Sequence, residues 1–184
     1  HSYDEEPALG SVLVARELPA TGGDTRFLST YDAFAVLPAH LQERLRGMRA
    51  VHSAKHAFGT TSSKIRRWID PTFATENTEV ADGLGTVTHP AVIRHPLSGR
   101  EALFVNPSFT IRFAGLSVAR SAPLLASIYA RVLRSAGTAD FRWEPGSVAI
   151  WDNRATWHNA RNDYRGQRRV MHRIPLDGCP HEAA

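Results

Sequence analysis

The stretch "WEPGSVAIWDNRATWHNARNDYRGQRRVMHR" (143–173) decides how this chain is to be read. Val148 to Trp151 is a short apolar run bounded by Pro145-Gly146 on one side and Asp152-Asn153 on the other, the mark of a strand between turns. Together with the residues before it, the pattern predicts a hairpin over 140–153 that turns at Pro145-Gly146. "QRRVMHRIPL" (167–176) reads as a further strand. His158 stands just past the Asp152-Asn153 turn, and Arg169 follows eleven residues later. If the intervening segment loops back, Arg169 falls on a strand next to the one bearing His158. A neutral imidazole is a good ligand for Fe(II), Zn(II) or Cu(II), and a guanidinium matches a carboxylate bidentately. One pocket would then hold a metal and an anion. The other reading of the same residues is a surface histidine and solvated arginines in a basic loop.

Working outward, "GSVLVARELP" (10–19) reads as a strand, "TGGDT" (21–25) as a glycine-rich turn, and "RFLST" (26–30) as a short strand. Gly22 and Gly23 permit positive φ there, and Asp24 can hydrogen-bond its own turn. Tyr31, Phe34 and Leu37, then Leu41, Leu45 and Met48, recur at helical spacing, with Pro38 suited to a first helical turn. "RAVHSA" (49–54), "THPAVIRHP" (88–96) and "EALFVN" (101–106) are strand-like. The segment Leu116–Leu133 carries an apolar stripe that gives the clearest helix signal in the chain, with Gly137 just past its end. Residues 60–84 are polar and aperiodic, which predicts a mobile loop or lid. Many short strands with few helices and no βαβ alternation point to a mainly β fold with helical insertions, an antiparallel barrel or jelly roll.

Composition bounds the rest. At 184 residues the chain suits one domain, and 42% apolar with 22% charged residues is ordinary for a globular protein. A single cysteine, Cys179, excludes an internal disulfide and fits a reducing cytoplasm. No window approaches the ~18 apolar residues of a transmembrane helix, so no membrane association is expected. The net charge of +4 and a pI near 9.7 come from scattered arginines without an aromatic-basic pattern. This argues against nucleic acid and for small anionic ligands.

Taken jointly, "GSVLVARELPATGGDT", "GMRAVHS", "HPLSGREALFVNPSFT", "WEPGSVAIWDNRATWHNA" and "DYRGQRRVMHR" resemble the taurine dioxygenase family of Fe(II)- and 2-oxoglutarate-dependent oxygenases. The stretches occur in family order across nearly the whole chain. The resemblance implies a double-stranded β-helix, the cupin-like jelly-roll barrel, as a single domain over 1–184. It implies that His158 is the distal histidine of a facial 2-His-1-carboxylate iron site and that Arg169 pairs with the far carboxylate of 2-oxoglutarate. Thr25 would hydrogen-bond the same carboxylate, and Arg173 would lie near both the co-substrate and a substrate anion. His1, Tyr3, Phe58 and Phe109 match the substrate wall. The implied reaction consumes 2-oxoglutarate and O₂, yields succinate and CO₂, and hydroxylates a small anionic substrate such as a sulfonate, sulfate ester or carboxylate. Dimers or tetramers are common in the family, so a homo-oligomer is expected.

The family's proximal iron motif, His-x-Asp, is not in this chain, and its register places it immediately before His1. We therefore expect the other two ligands upstream of His1, in a longer or processed gene product, since the chain opens without an initiator Met. The competing expectation is a non-catalytic ligand-binding barrel that lacks the proximal ligands. As a substitute ligand pair, His1 and Asp4 would point to opposite faces of an extended segment. Trp151 and Trp157 are expected to pack. Asn106 and Asn153 are expected to satisfy turn backbone, and His52, His56, His89, His95 and His172 to be structural or superficial.

Overall fold

A computed structural model describes residues 2–59 and 82–184. Its described part is mainly β and entirely antiparallel in its pairings. Strand β1 (Gly10–Glu17) lies between β9 (Val148–Asp152) and β11 (Val170–Pro175). Strand β2 (Thr25–Ser29) lies between β8 (Thr138–Phe141) and β10 (Thr156–Ala160). A third sheet sets β3 (Arg49–His52) between β4 (Val87–Pro90) and β7 (Thr110–Phe113), and β5 (Val92–Arg94) pairs with β6 (Glu101–Leu103).

The first two sheets pack face to face because their strands alternate. On β1, Ser11 and Ala15 are buried with Leu13 between them, and they share a face with Ala149 and Trp151 of β9 and with Met171 and Arg173 of β11. Phe27 of β2 and Phe141 of β8 join Ala15, Trp143, Ala149 and Trp151 in one apolar cluster, which fills the space between the sheets. Val148, Ile150 and Ile174 take the other side and are exposed.

Helices close a second, larger core. Helix α1 (Thr30–Ala35) starts at Ser29, whose hydroxyl accepts the Asp32 N–H. Pro38 caps α2 (Ala39–Arg46), and Gln42 reaches back to the Phe34 and Leu37 carbonyls, tying the two helices into a corner. A short helix, α3 (Lys55–Phe58), follows β3. Helix α4 (Val118–Ser135) is capped by the Ser117 hydroxyl and buries Leu125, Ile128 and Val132, as its stripe predicts. Leu45, Phe113 and Ile128 are completely buried in this core. Burial of each contributes about 1.5–3 kcal/mol. No helix among the described residues is long and apolar enough to cross a membrane.

The structure departs from the sequence expectations in pairing. The turn at Pro145-Gly146 exists, with Gly146 at φ 84° and Ser147 N–H bonded to the Glu144 carbonyl. Its flanking strands do not pair with each other: β8 pairs with β2, while β9 pairs with β1. Residues 142–147 cross from one sheet to the other, so both central strands gain a partner on each edge. A 140–153 hairpin would leave those edges unpaired. For the same reason β10 and β11 are not neighbours. His158 sits within β10, opposite Phe27, and Arg169 immediately precedes β11 in the facing sheet. Strand β7 was not anticipated, although its Thr110-Ile111-Arg112-Phe113 alternation carries the signal. The lid expected at 60–84 lies outside the described residues except for its last three positions.

Candidate functional site

A cavity of about 500 Å³ opens where the two packed sheets meet the β6–β7 connection. Ser2, Asn106, Phe109, Arg154, His158 and Arg173 are among its walls. The alternation of β10 and the facing position of β11 bring His158 and Arg173 to this one space from opposite sheets, fifteen residues apart in sequence.

The His158 ring faces the open cavity, and on its other side it packs on Trp151 (centroids 4.8 Å apart) and Phe27 (6.4 Å). The surrounding protein disfavours the imidazolium, and the positive charge of Arg173 disfavours it further, so its pKa falls to about 4. At neutral pH the ring therefore carries a free lone pair suited to a transition metal. Among the described residues no group of three His, Cys, Asp or Glu could hold a metal ion.

Thr25 is 1% exposed, and its Oγ1 accepts the Trp143 indole N–H at 3.0 Å, which leaves its own proton free to donate. The glycine-rich turn before it clasps the 161–167 loop. Gly23 N–H donates to Asp163 Oδ1 at 2.7 Å, Ala20 N–H to Gln167 Oε1 at 2.7 Å, and Arg161 N–H to the Asp24 carbonyl at 2.9 Å. Asp24 thus closes the clasp through its backbone. Both glycines have positive φ (78° and 77°), and a Cβ on Gly23 would lie 3.1 Å from Arg169 Cδ and Nε. The bare Gly23 backbone lets the Arg169 stem pass. Arg169 lies near the Tyr164 ring (5.9 Å), with Nε and NH2 buried and without a hydrogen-bond acceptor. Neither Thr25 nor Arg169 is on the wall of the 500 Å³ cavity.

Three of the expected substrate-wall residues converge. Tyr3 meets Phe109 edge-on at 5.0 Å and Phe58 at 6.4 Å, and Phe58 and Phe109 lie 5.7 Å apart. Phe109 is on the cavity wall; Tyr3 and Phe58 stand behind it. Burial raises the Tyr3 pKa, opposed by the charge of Arg173. His1 lies outside the described residues.

Arg154 and His181 are not among the residues singled out from sequence. Arg154, 8% exposed and on the cavity wall, donates Nε and NH2 to Asp152, which also receives His95 Nε2 at 2.9 Å. Burial alone would raise Asp152, but the Arg154 and His95 hydrogen bonds outweigh it and bring its pKa to about 2. His52, His89 and His181 surround Phe104, with ring centroids 4.6 to 5.8 Å from it. Burial lowers the pKa of all three. Ser2 bridges this group to the cavity, its hydroxyl 3.0 Å from His52 Nδ1 and 3.0 Å from Asn106 Nδ2. The Asn106 side-chain carbonyl oxygen accepts the Ser108 and Phe109 N–H groups, and Asn153 Nδ2 donates to the Ala8 carbonyl. His56 and His172 are exposed.

Residues 1–174 match the family model described as "Taurine catabolism dioxygenase TauD, TfdA family". The chain is 38% identical over 169 residues to an alpha-ketoglutarate-dependent sulfate ester dioxygenase of Pseudomonas putida, covering 91% of this chain and 54% of that protein. It is 34% identical over 172 residues to an alkylsulfatase of Acinetobacter baylyi, covering 91% and 52%. It thus spans about half the length of these relatives. A solved taurine dioxygenase from Burkholderia xenovorans superposes with a TM-score of 0.77 at 30% identity, over 97% of this chain and 55% of that one. AAD-2, solved with Mn(II) and N-oxalylglycine, shares the fold at a TM-score of 0.80 and 24% identity, over 98% and 66%.

Proposed function

Because the chain belongs to the taurine catabolism dioxygenase TauD, TfdA family, we propose that it forms the catalytic jelly roll of an Fe(II)- and 2-oxoglutarate-dependent dioxygenase. Residues 1–184 act as one domain of it, and its substrate is a small anion. A sulfate ester fits better than a carboxylate, given what the similar Pseudomonas and Acinetobacter proteins are named for.

The observation that carries this reading is Arg169. A guanidinium with two N–H groups buried and unpaired is costly unless a carboxylate arrives. The remote carboxylate of 2-oxoglutarate supplies two oxygens for that fork. Thr25, its hydroxyl oriented by Trp143, donates to the same group. For iron the fit is partial: His158 offers a neutral imidazole, and the described residues do not complete a set of three donors with it. When bound, iron with O₂ supplies the oxidising chemistry that turns 2-oxoglutarate into succinate and CO₂ and hydroxylates the substrate. The chain's own residues orient the reactants. Arg169 and Thr25 fix one end of the co-substrate, Arg173 attracts the substrate anion, and the Tyr3–Phe58–Phe109 group forms an apolar wall that excludes water.

Anaerobic addition of Fe(II) and 2-oxoglutarate to the full-length polypeptide should produce a visible metal-to-ligand charge-transfer band, lost in His158→Ala. A folded wild-type protein that binds 2-oxoglutarate without this band would be a ligand-binding barrel and not an oxygenase.

A further inference from the structure

Ser11 is a serine on the central strand β1, 0% exposed, with an unusual pair of partners. Its hydroxyl oxygen accepts both Nε (3.2 Å) and NH2 (2.8 Å) of Arg173. Those two nitrogens form one edge of the guanidinium, so a single oxygen fixes the plane of the group. The register explains how they meet. Arg173 stands opposite Leu13, and its side chain runs diagonally along the inner face to Ser11, two residues away on the same strand. Trp151 stands opposite Ser11 on the other neighbour, β9, and Arg173 Cζ lies 5.9 Å from its ring centre. The Asn153 amide lies alongside the hydroxyl at 3.3 to 3.4 Å and is itself anchored on the Ala8 carbonyl. Asn153 offers Oδ1 to the serine proton at 3.4 Å and Nδ2 as a further donor at 3.3 Å, so the hydroxyl oxygen is shared between Arg173 and the Asn153 amide, with the shortest contact to Arg173 NH2.

We propose that Ser11 is a positioning residue for Arg173, holding the guanidinium so that its remaining nitrogen, NH1, meets the anionic group of the substrate in the 500 Å³ cavity. This rests on the reading of Arg173 as the anion contact. Among the described residues no hydrogen bond forms at NH1, whereas the other two nitrogens are committed to Ser11. An arginine side chain free to rotate would have to be ordered at each binding event. Ser11, on the central strand, and Asn153, just past the end of β9, order it beforehand. Ser11 touches neither substrate nor co-substrate in this arrangement and acts only through Arg173.

The test uses the full-length polypeptide with Fe(II), 2-oxoglutarate and hexyl sulfate as the anionic probe, and compares Ser11→Ala, Ser11→Cys, Ser11→Thr and Arg173→Ala. Ser11→Ala should raise the KM for hexyl sulfate roughly threefold to tenfold, the ordering cost of one long side chain. The kcat should stay within about twofold, since the reacting groups are untouched. The charge-transfer band should persist. Ser11→Thr, which keeps the hydroxyl, should restore the KM. Should Ser11→Ala fail to fold, the nearly isosteric Ser11→Cys, a weak acceptor, should show the same KM rise. A raised KM in Arg173→Ala beside an unchanged KM in folded Ser11→Ala or Ser11→Cys overturns the positioning role and leaves the anion contact standing. An unchanged KM in Arg173→Ala overturns both.

Discussion

Replacing Arg169 by methionine separates a structural arginine from one that waits for a carboxylate. In the free protein its Nε and NH2 are buried without an acceptor, an arrangement that costs about 1–3 kcal/mol. Methionine follows the same stem past Gly23 and carries no donor, so Arg169→Met should leave the stability of the ligand-free protein unchanged or higher. With 2-oxoglutarate the sign reverses. Two charge-assisted hydrogen bonds at about 1.5 kcal/mol or more each amount to at least about 3 kcal/mol, or roughly a hundredfold in Kd. At a concentration one hundred times the wild-type Kd, the ligand stabilises the wild type by about 2.7 kcal/mol. The variant, then near its own Kd, gains only about 0.4 kcal/mol. Thermal unfolding of the full-length polypeptide under anaerobic Fe(II), with and without 2-oxoglutarate, reads both quantities. A variant that loses stability without ligand, or keeps the full ligand-induced gain, would refute the assignment of Arg169 to the co-substrate.

Other outcomes follow from buried polar groups. Asp152→Asn should cost about 2 kcal/mol at pH 7, because the Arg154 fork and His95 lose their charged acceptor. The folded pKa of Asp152 is depressed to about 2, so this stability is present above the unfolded value near 4 and lost as pH falls towards 2. Urea titrations across that window should be flatter for the variant; parallel profiles would remove Asp152 as the anchor. His181 is held neutral, with its pKa lowered to about 4 by burial, by His89 and by Arg154, and opposed by the Pro180 carbonyl and Asp152. The unfolded state binds a proton below about 6.5, so its contribution is present above that pH and declines as pH falls towards 4. By pH 5 the loss reaches up to about 2 kcal/mol. His181→Phe should resist acid over this range in a denaturant series, and an unchanged profile would place the sensitivity elsewhere.

Much of this molecule is legible in its sequence, because the legible features are local. Alternation along Gly10–Glu17 makes a strand whatever lies beside it, the stripe from Leu125 to Val132 makes a helix, and Gly22-Gly23 makes a turn with positive φ. The five stretches from Gly10 to Arg173 that occur in family order carry the resemblance to the family, which the match over residues 1–174 bears out. Pairing is another matter. Residues 140–153 have hairpin chemistry at their turn, yet each flanking strand pairs its backbone with a different central strand, β8 with β2 and β9 with β1. That competition is settled by the whole chain and leaves no trace in a short window. Arg173 on Ser11, 162 positions apart, is decided in the same way, as is the grouping of His52, His89 and His181 around Phe104. Sequence by itself determined which side chains are available and on which face of a strand each stands. Only the tertiary structure decided which faces meet, because a β pairing is a contract between segments that have no local knowledge of each other.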